Sequence, residues 1–241
     1  MNNALMDWSV LLPEIVLASG ICVLLVLDLF VRDSARDLSY LLAIFLLAGV
    51  AWVLIGTNPE VTAQLAAGGA YVADGLARVL KLFAVTAVAT VFLYSRPWLR
   101  SRNLHFGEYY VLGLFGLLGV MVLASGYSLL VSYIGLEILS LSLYAMVAFD
   151  RDSARSAEAA MKYFVLGAIA SGTLLYGMSL IYGITGTLQI GELQTAIAAK
   201  SDVVGLWVGL GFMVVGVAFK FGAVPFHMWV PDVYDGAATP V

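Results

Sequence analysis

Segments of about 20 apolar residues recur along this chain and leave it few ways to fold. Hydrocarbon offers no water to a backbone N–H or C=O, so a spanning segment must be a helix or part of a closed barrel. The segment length matches a helix that rises about 1.5 Å per residue across about 30 Å of hydrocarbon. Spans are expected at about 10–31, 38–56, 75–95, 107–125, 127–149, 157–185 and 202–230, an all-α, polytopic transmembrane helix bundle forming one membrane domain over 1–241. Composition agrees, since 62% hydrophobic and 12% charged residues do not suit a soluble domain. Thr57 to Asp74 reads as a loop around Pro59 and Gly68-Gly69, and Gly186 to Ser201 as a connection holding a short surface helix. The first ten residues lack the basic region of a cleaved signal, so the first apolar run is expected to be retained. Cys22 is the single cysteine, lies in an apolar run and reads as a packing residue, which leaves no internal disulfide or cysteine metal site.

Loop charges orient the bundle. Arg32 and Arg36 follow the first span, Arg96, Arg100 and Arg102 the third, and Arg151 and Arg155 the fifth, whereas the alternate loops carry only Lys200. By the positive-inside rule the amino terminus lies on the non-cytoplasmic side. Trp8, Trp52, Trp98, Trp207 and Trp229 fall near predicted span ends and read as interfacial anchors. Small residues at helical spacing mark close helix contacts: Gly205 with Gly209, Gly167 with Ser171, and Gly113, Gly116 and Gly119. Gly126 sits in a turn so short that spans four and five must be antiparallel neighbours.

Against this apolar background a few charges stand out. Glu137 lies about ten residues into the fifth span, roughly 15 Å deep, where a central acidic group costs about 2.5–3.5 kcal/mol and needs a partner, a cavity or a pathway. Lys162, early in the sixth span, is the expected partner, joined to it by a hairpin turn. Such a pair can serve as a proton-linked charge switch or as a static ion pair that fixes packing. Lys220, Pro225 and His227 form the third anomaly. Proline removes a donor and should break the seventh span between Lys220 and Pro225, with helix resuming toward Tyr234. One reading is a proton site flanked by Lys220 and His227; the other is a proline kink whose lysine snorkels. Glu14 follows Pro13 in a first helical turn and complements the helix dipole. Asp28 can reach headgroups or Arg32, while Arg78 and Lys81 are expected to snorkel at the outer end of span three. His105 belongs to a basic loop, and neither histidine has the neighbours that a metal site needs. No basic arm for nucleic acid is present.

The segments YIGLEILSLSLYAMVAF, AEAAMKYFVLGAIASGTLLYGMSLIYGITGTL and FKFGAVPFHMWVPDVYDGAATPV resemble the antiporter-like membrane subunits of respiratory complex I, the bacterial NADH-quinone oxidoreductase. The wording PFHMWVPDVYDGA is similar to the subunit N branch rather than to the M and L branches or the Mrp-type antiporters, and the likeness corresponds to the amino-terminal half of such a subunit. The resemblance implies two inverted five-helix repeats, each with a discontinuous helix, and a proton path along a central row of ionisable residues. Glu137 matches the family's fifth-helix glutamate, Lys162 the sixth-helix lysine, Lys220 the lysine of the discontinuous seventh helix, and His227 the histidine after its break. It further implies a proton-translocating subunit in the bacterial cell inner membrane, with other complex I membrane subunits and the lipid bilayer as partners. NADH and quinone are used elsewhere in that complex, and no cofactor is expected in this chain. An Mrp-type cation/proton antiporter subunit and a non-pumping scaffold are the alternatives. The family's second repeat is expected to be absent, making the chain either a fragment or a natural truncation.

Overall fold

The computed structural model describes residues 10–31, 37–56, 64–104, 106–200 and 203–241. Trp8, Arg32, Arg36, Pro59, His105, Ser201 and Asp202 lie outside the described residues. Helices α1 (Leu12–Asp28), α2 (Asp37–Gly56), α3 (Gly75–Ser101), α4 (Gly107–Ser125), α5 (Leu129–Val147) and α6 (Ala154–Thr185) succeed one another, with a small hairpin before α3. A short α7 (Ile190–Ala198) precedes α8 (Val204–Lys220) and the one-turn-plus α9 (Val230–Gly236). Five of them, α2 to α6, are long and apolar enough to cross a membrane. The first and seventh expected spans are shorter than anticipated: α1 and α8 have 17 residues each, about 25 Å of helix. The protein is an all-α membrane bundle.

Local chemistry sets several helix ends. The Asp74 carboxylate accepts from the Ala77 N–H at 2.7 Å and starts α3. The Ser153 hydroxyl accepts from the Ser156 N–H at 3.3 Å and starts α6. Helix α3 runs past the expected end at 95 and carries Pro97 in its last turns, where Arg96 reaches Asp37 of α2 at 3.1 Å. The loop expected between spans two and three contains an antiparallel hairpin, β1 (Gln64–Ala66) with β2 (Tyr71–Ala73). Its strands are too short to announce themselves in sequence. Tyr71 of β2 bridges to Gly126, the Ala70 carbonyl accepts from the Tyr127 N–H, and the hairpin thereby lids the end of the bundle where α1 and α3 begin.

Two helix pairs pack backbone to backbone, as the small residues require. A methyl group added at Gly119 would stand 2.5 Å from the Leu139 nitrogen, and one at Gly135 2.7 Å from the Leu123 nitrogen, so α4 and α5 meet through glycine. Helices α6 and α8 do the same at Gly177, Gly209 and Gly216. An aromatic core of Tyr40, Phe92, Tyr109, Tyr110 and Phe149 fills the opposite end of α1 to α4 in edge-to-face pairs. The Tyr109 hydroxyl donates to the Pro240 carbonyl at 2.9 Å and so holds the segment after α9 against this core.

Candidate functional site

The break after α8 is made by glycine, not by the proline that drew attention to it. Helix α8 stops at Lys220, five residues short of Pro225. Gly222 adopts φ +62°, and the Ala223 and Gly222 N–H groups bond back to the carbonyls of Ala218 and Phe219. That is a Schellman stop, and it needs a left-handed residue at this position. Residues 221 to 229 are non-helical, so the helix resumes later than expected, at Val230. Trp229 closes the gap. Its ring is buried, stacks on Tyr163 at 4.6 Å and donates Nε1–H to the Phe219 carbonyl at 3.1 Å. The expectation that Trp229 anchors the interface is therefore corrected: it satisfies a carbonyl left open by the broken helix. Trp52 and Trp207, by contrast, are largely exposed on the bundle surface.

Ending at Lys220 places that side chain at the carbonyl end of α8, where a cation is favoured, and turns it into the bundle. Its ammonium reaches the Ser140 hydroxyl at 2.8 Å, Glu137 Oε1 at 3.3 Å and the Tyr144 hydroxyl at 3.3 Å. These three acceptors match the three donors of an ammonium group. Glu137, Ser140 and Tyr144 lie three and four residues apart and share one face of α5. Ser140 donates its own proton to the Leu136 carbonyl, which leaves its oxygen free to accept from lysine. The Glu137 carboxylate also accepts from the Ser171 hydroxyl of α6 at 2.5 Å. Gly167, one turn before Ser171, makes room for the Tyr144 hydroxyl, which a Cβ there would meet at 2.0 Å. The side chains of Lys220 and Glu137 are 11% and 21% exposed, so the pair is largely shielded yet still open to a small ligand.

Lys162 is not the partner of Glu137. Its ammonium binds Glu158 and Asp232 at 2.9 Å each, and its side chain is 44% exposed. The reason is register. The α6 residue level with Glu137 is Ser171, nine residues beyond Lys162 and hence about 13 Å further along the helix. Between the two lysines lies an aromatic layer in which Tyr163 packs edge-on against Tyr144 at 4.5 Å and flat on Trp229. His227 is exposed in the non-helical connection, and its carbonyl accepts from the Val230 N–H. The four expected residues thus fall into one half-buried pair, Glu137 with Lys220, and two outlying groups near the arginine-bearing end of the bundle.

Sequence reasoning missed a second pair, and this one is fully buried. Lys81 was expected to snorkel and Glu14 to serve the helix dipole, yet Lys81 Nζ lies 2.6 Å from Glu14 Oε1, with the two side chains 4% and 7% exposed. Lys81 also donates to the Tyr71 hydroxyl at 3.1 Å. The hairpin lid is the cause, because it covers a depth at which a lysine would otherwise reach water. Arg78, one turn earlier, is only half-buried and donates to the Ile55 carbonyl. Asp28 accepts from Ser39 at the start of α2 instead of reaching headgroups. Among the described residues no cluster of three or more His, Cys, Asp or Glu is placed to hold a metal ion.

Residues 126–241, which contain every member of the Glu137–Lys220 site, match the family model described as NADH:quinone oxidoreductase/Mrp antiporter, TM. The chain is 54% identical over 238 residues to the NADH-quinone oxidoreductase subunit N of Thioalkalivibrio sulfidiphilus, covering 98% of this chain and 49% of that protein. It is 51% identical over 240 residues to the protein of the same name from Thiobacillus denitrificans, covering 99% and 50%. A chain of respiratory complex I from Thermus thermophilus superposes with a TM-score of 0.76 at 32% identity, covering 95% of this chain and 48% of that one. The chain spans about half the length of the curated relatives it matches.

Proposed function

We propose that this chain, whose residues 126–241 match the NADH:quinone oxidoreductase/Mrp antiporter transmembrane family, is a proton-translocating membrane part of an NADH-quinone oxidoreductase. Electron transfer from NADH to quinone takes place in other subunits of that complex, and this chain couples it to proton movement across the inner membrane. The observation that carries this reading is Lys220, held at a helix break and facing Glu137, Ser140 and Tyr144 inside a membrane bundle. A lysine there can hold a proton while Glu137 is close, and release it when that carboxylate withdraws or is neutralised. Ser171 keeps the carboxylate oriented, and Tyr144 supplies a second hydroxyl in contact with the ammonium. Lys162, with Asp232 and Glu158, and His227 form the next stations toward the arginine-bearing end, which the positive-inside rule makes cytoplasmic. The amino terminus then lies on the opposite side, and the partners are the other membrane subunits of the complex.

Lys220→Ala in the assembled complex tests this directly. Electron transfer with inhibitor sensitivity retained, but with proton pumping into inverted vesicles reduced, is the expected outcome. Normal pumping by fully assembled Lys220→Ala complex rejects the role and leaves the buried charges a purely structural task.

A further inference from the structure

Glu14, Lys81, Tyr71 and Ser125 come together from four separate elements: the first turn of α1, the second turn of α3, strand β2 and the last residue of α4. All four are buried, and Ser125 is fully so. The Lys81 ammonium contacts the Glu14 carboxylate and the Tyr71 hydroxyl. The phenol of Tyr71 also stands beside Glu14 and Ser125, and burial, then the Glu14 charge, pushes its ionisation far up, so it stays a donor. Yet the Ser125 hydroxyl and Glu14 Oε2 have no hydrogen-bond partner among the described residues, while Oε1 faces the Lys81 ammonium. Buried oxygens left open in this way call for a small polar ligand, and a water making two to four hydrogen bonds fits that description.

The cluster stands apart from the Lys220 site. Glu14 is the third residue of α1 and Lys81 the seventh of α3, about 3 and 9 Å from those helix starts. Glu137 is the ninth residue of α5, whose start lies at the same end, and faces α6 and α8 instead. The hairpin shuts the cluster from solvent, with Ala66 and Tyr71 buried against Val10. Among the described residues, the two neighbouring ionisable groups on and before α3 turn elsewhere, Asp74 to the α3 cap and Arg78 to the Ile55 carbonyl. Replacing a buried ion pair by apolar residues is often neutral or stabilising, so such a pair in a membrane protein calls for a use beyond stability.

We propose that Glu14, Tyr71, Lys81 and Ser125 form a second proton-holding centre, completed by one bound water and lidded by the β1–β2 hairpin. Its ligand is a proton delivered by hydronium: the Glu14 carboxylate takes the proton and becomes a carboxylic acid, hydronium becomes the bound water, and the centre passes from net neutral to net positive. No electron moves. Tyr71 and Ser125 hold that water against the protonated acid, and Lys81 stays charged throughout. The proposal rests on the proton-translocation reading for the proton's destination, not for its binding.

Infrared difference spectroscopy across a pH titration of the whole complex in liposomes reads the centre without any pumping assay. A carboxylic acid C=O band that grows as pH falls, disappears in Glu14→Gln and shifts in Tyr71→Phe is the expected result. The same band should persist in Lys220→Ala. Absence of any Glu14-dependent band, or a band unmoved by Tyr71→Phe, overturns the proposal. Should Glu14→Gln not assemble, the paired change Glu14→Leu with Lys81→Leu removes both charges together; assembly with the band lost supports the centre, and a band that survives refutes it. Normal pumping in Lys220→Ala with the Glu14 band intact would reject the proposed function and leave this centre standing.

Discussion

Gly167→Ala is a one-methyl change that should dislodge a side chain from the Lys220 site. The added Cβ would stand 2.0 Å from the Tyr144 hydroxyl, against an ordinary contact of 3.4 Å or more, so that oxygen must retreat by at least about 1.4 Å. It has little room to do so. Tyr144 is 6% exposed and wedged edge-on against Tyr163 and Phe164, and the hydroxyl starts only 3.3 Å from Lys220. Losing that charged hydrogen bond costs about 1.5–3 kcal/mol, and forcing the ring against its neighbours adds about 1–3 kcal/mol. Alanine's better helix propensity returns only about 1 kcal/mol. A net loss of about 1.5–5 kcal/mol is therefore expected for the single change, summed from those three contributions. Tyr144→Phe removes the clashing oxygen and keeps the ring. If the mechanism is right, Gly167→Ala should cost far less in a Tyr144→Phe background, with a coupling of about 1–3 kcal/mol in a double-mutant cycle. Denaturant unfolding of the detergent-solubilised complex, followed by tryptophan fluorescence, measures the cycle. Strict additivity of the two changes would show that the glycine serves only helix packing.

Three further outcomes are expected. Glu137→Gln keeps the shape and the contact with Ser171 while removing the charge opposite Lys220, so proton pumping should fall several-fold with assembly near normal; a loss of assembled complex in proportion to pumping counts against it. Gly222→Ala places a side chain at φ +62° and brings its Cβ to 2.9 Å from the Val230 side chain, for a stability loss of about 1–2 kcal/mol from the left-handed backbone alone; an unchanged unfolding midpoint contradicts the Schellman stop. Trp229→Phe keeps the stack on Tyr163 but deletes the donor to the Phe219 carbonyl, which should cost about 1 kcal/mol and speed amide exchange at residues 219 to 223; unchanged exchange there means that the indole does not hold the break.

What could be read from the sequence here follows the range of the forces involved. Apolar length is a local property, and each of helices α1 to α6 overlaps an apolar segment, though α1 is shorter and α3 longer than expected. Buried charge is also local in one sense, since Glu137 and Lys220 stand out against apolar neighbours without any knowledge of tertiary contacts. Pairing is different. It depends on helix stagger, and a stagger of two and a half turns between α5 and α6 gives Glu137 to Ser171 and leaves Lys162 to Asp232. The hairpin lid is subtler still: three-residue strands carry no period, yet their presence converts Lys81 from a snorkelling cation into a buried one. The break shows where a correct expectation rested on an incomplete cause. Pro225 announces that a helix cannot continue through it, but the chain stops at the first residue able to terminate a helix favourably, and that residue is Gly222. Had α8 run on to Pro225, its last-turn carbonyls, with their attraction for cations, would have lain more than a turn beyond Lys220. The glycine, by stopping the helix early, is what puts the lysine at the end of α8 and opposite Glu137.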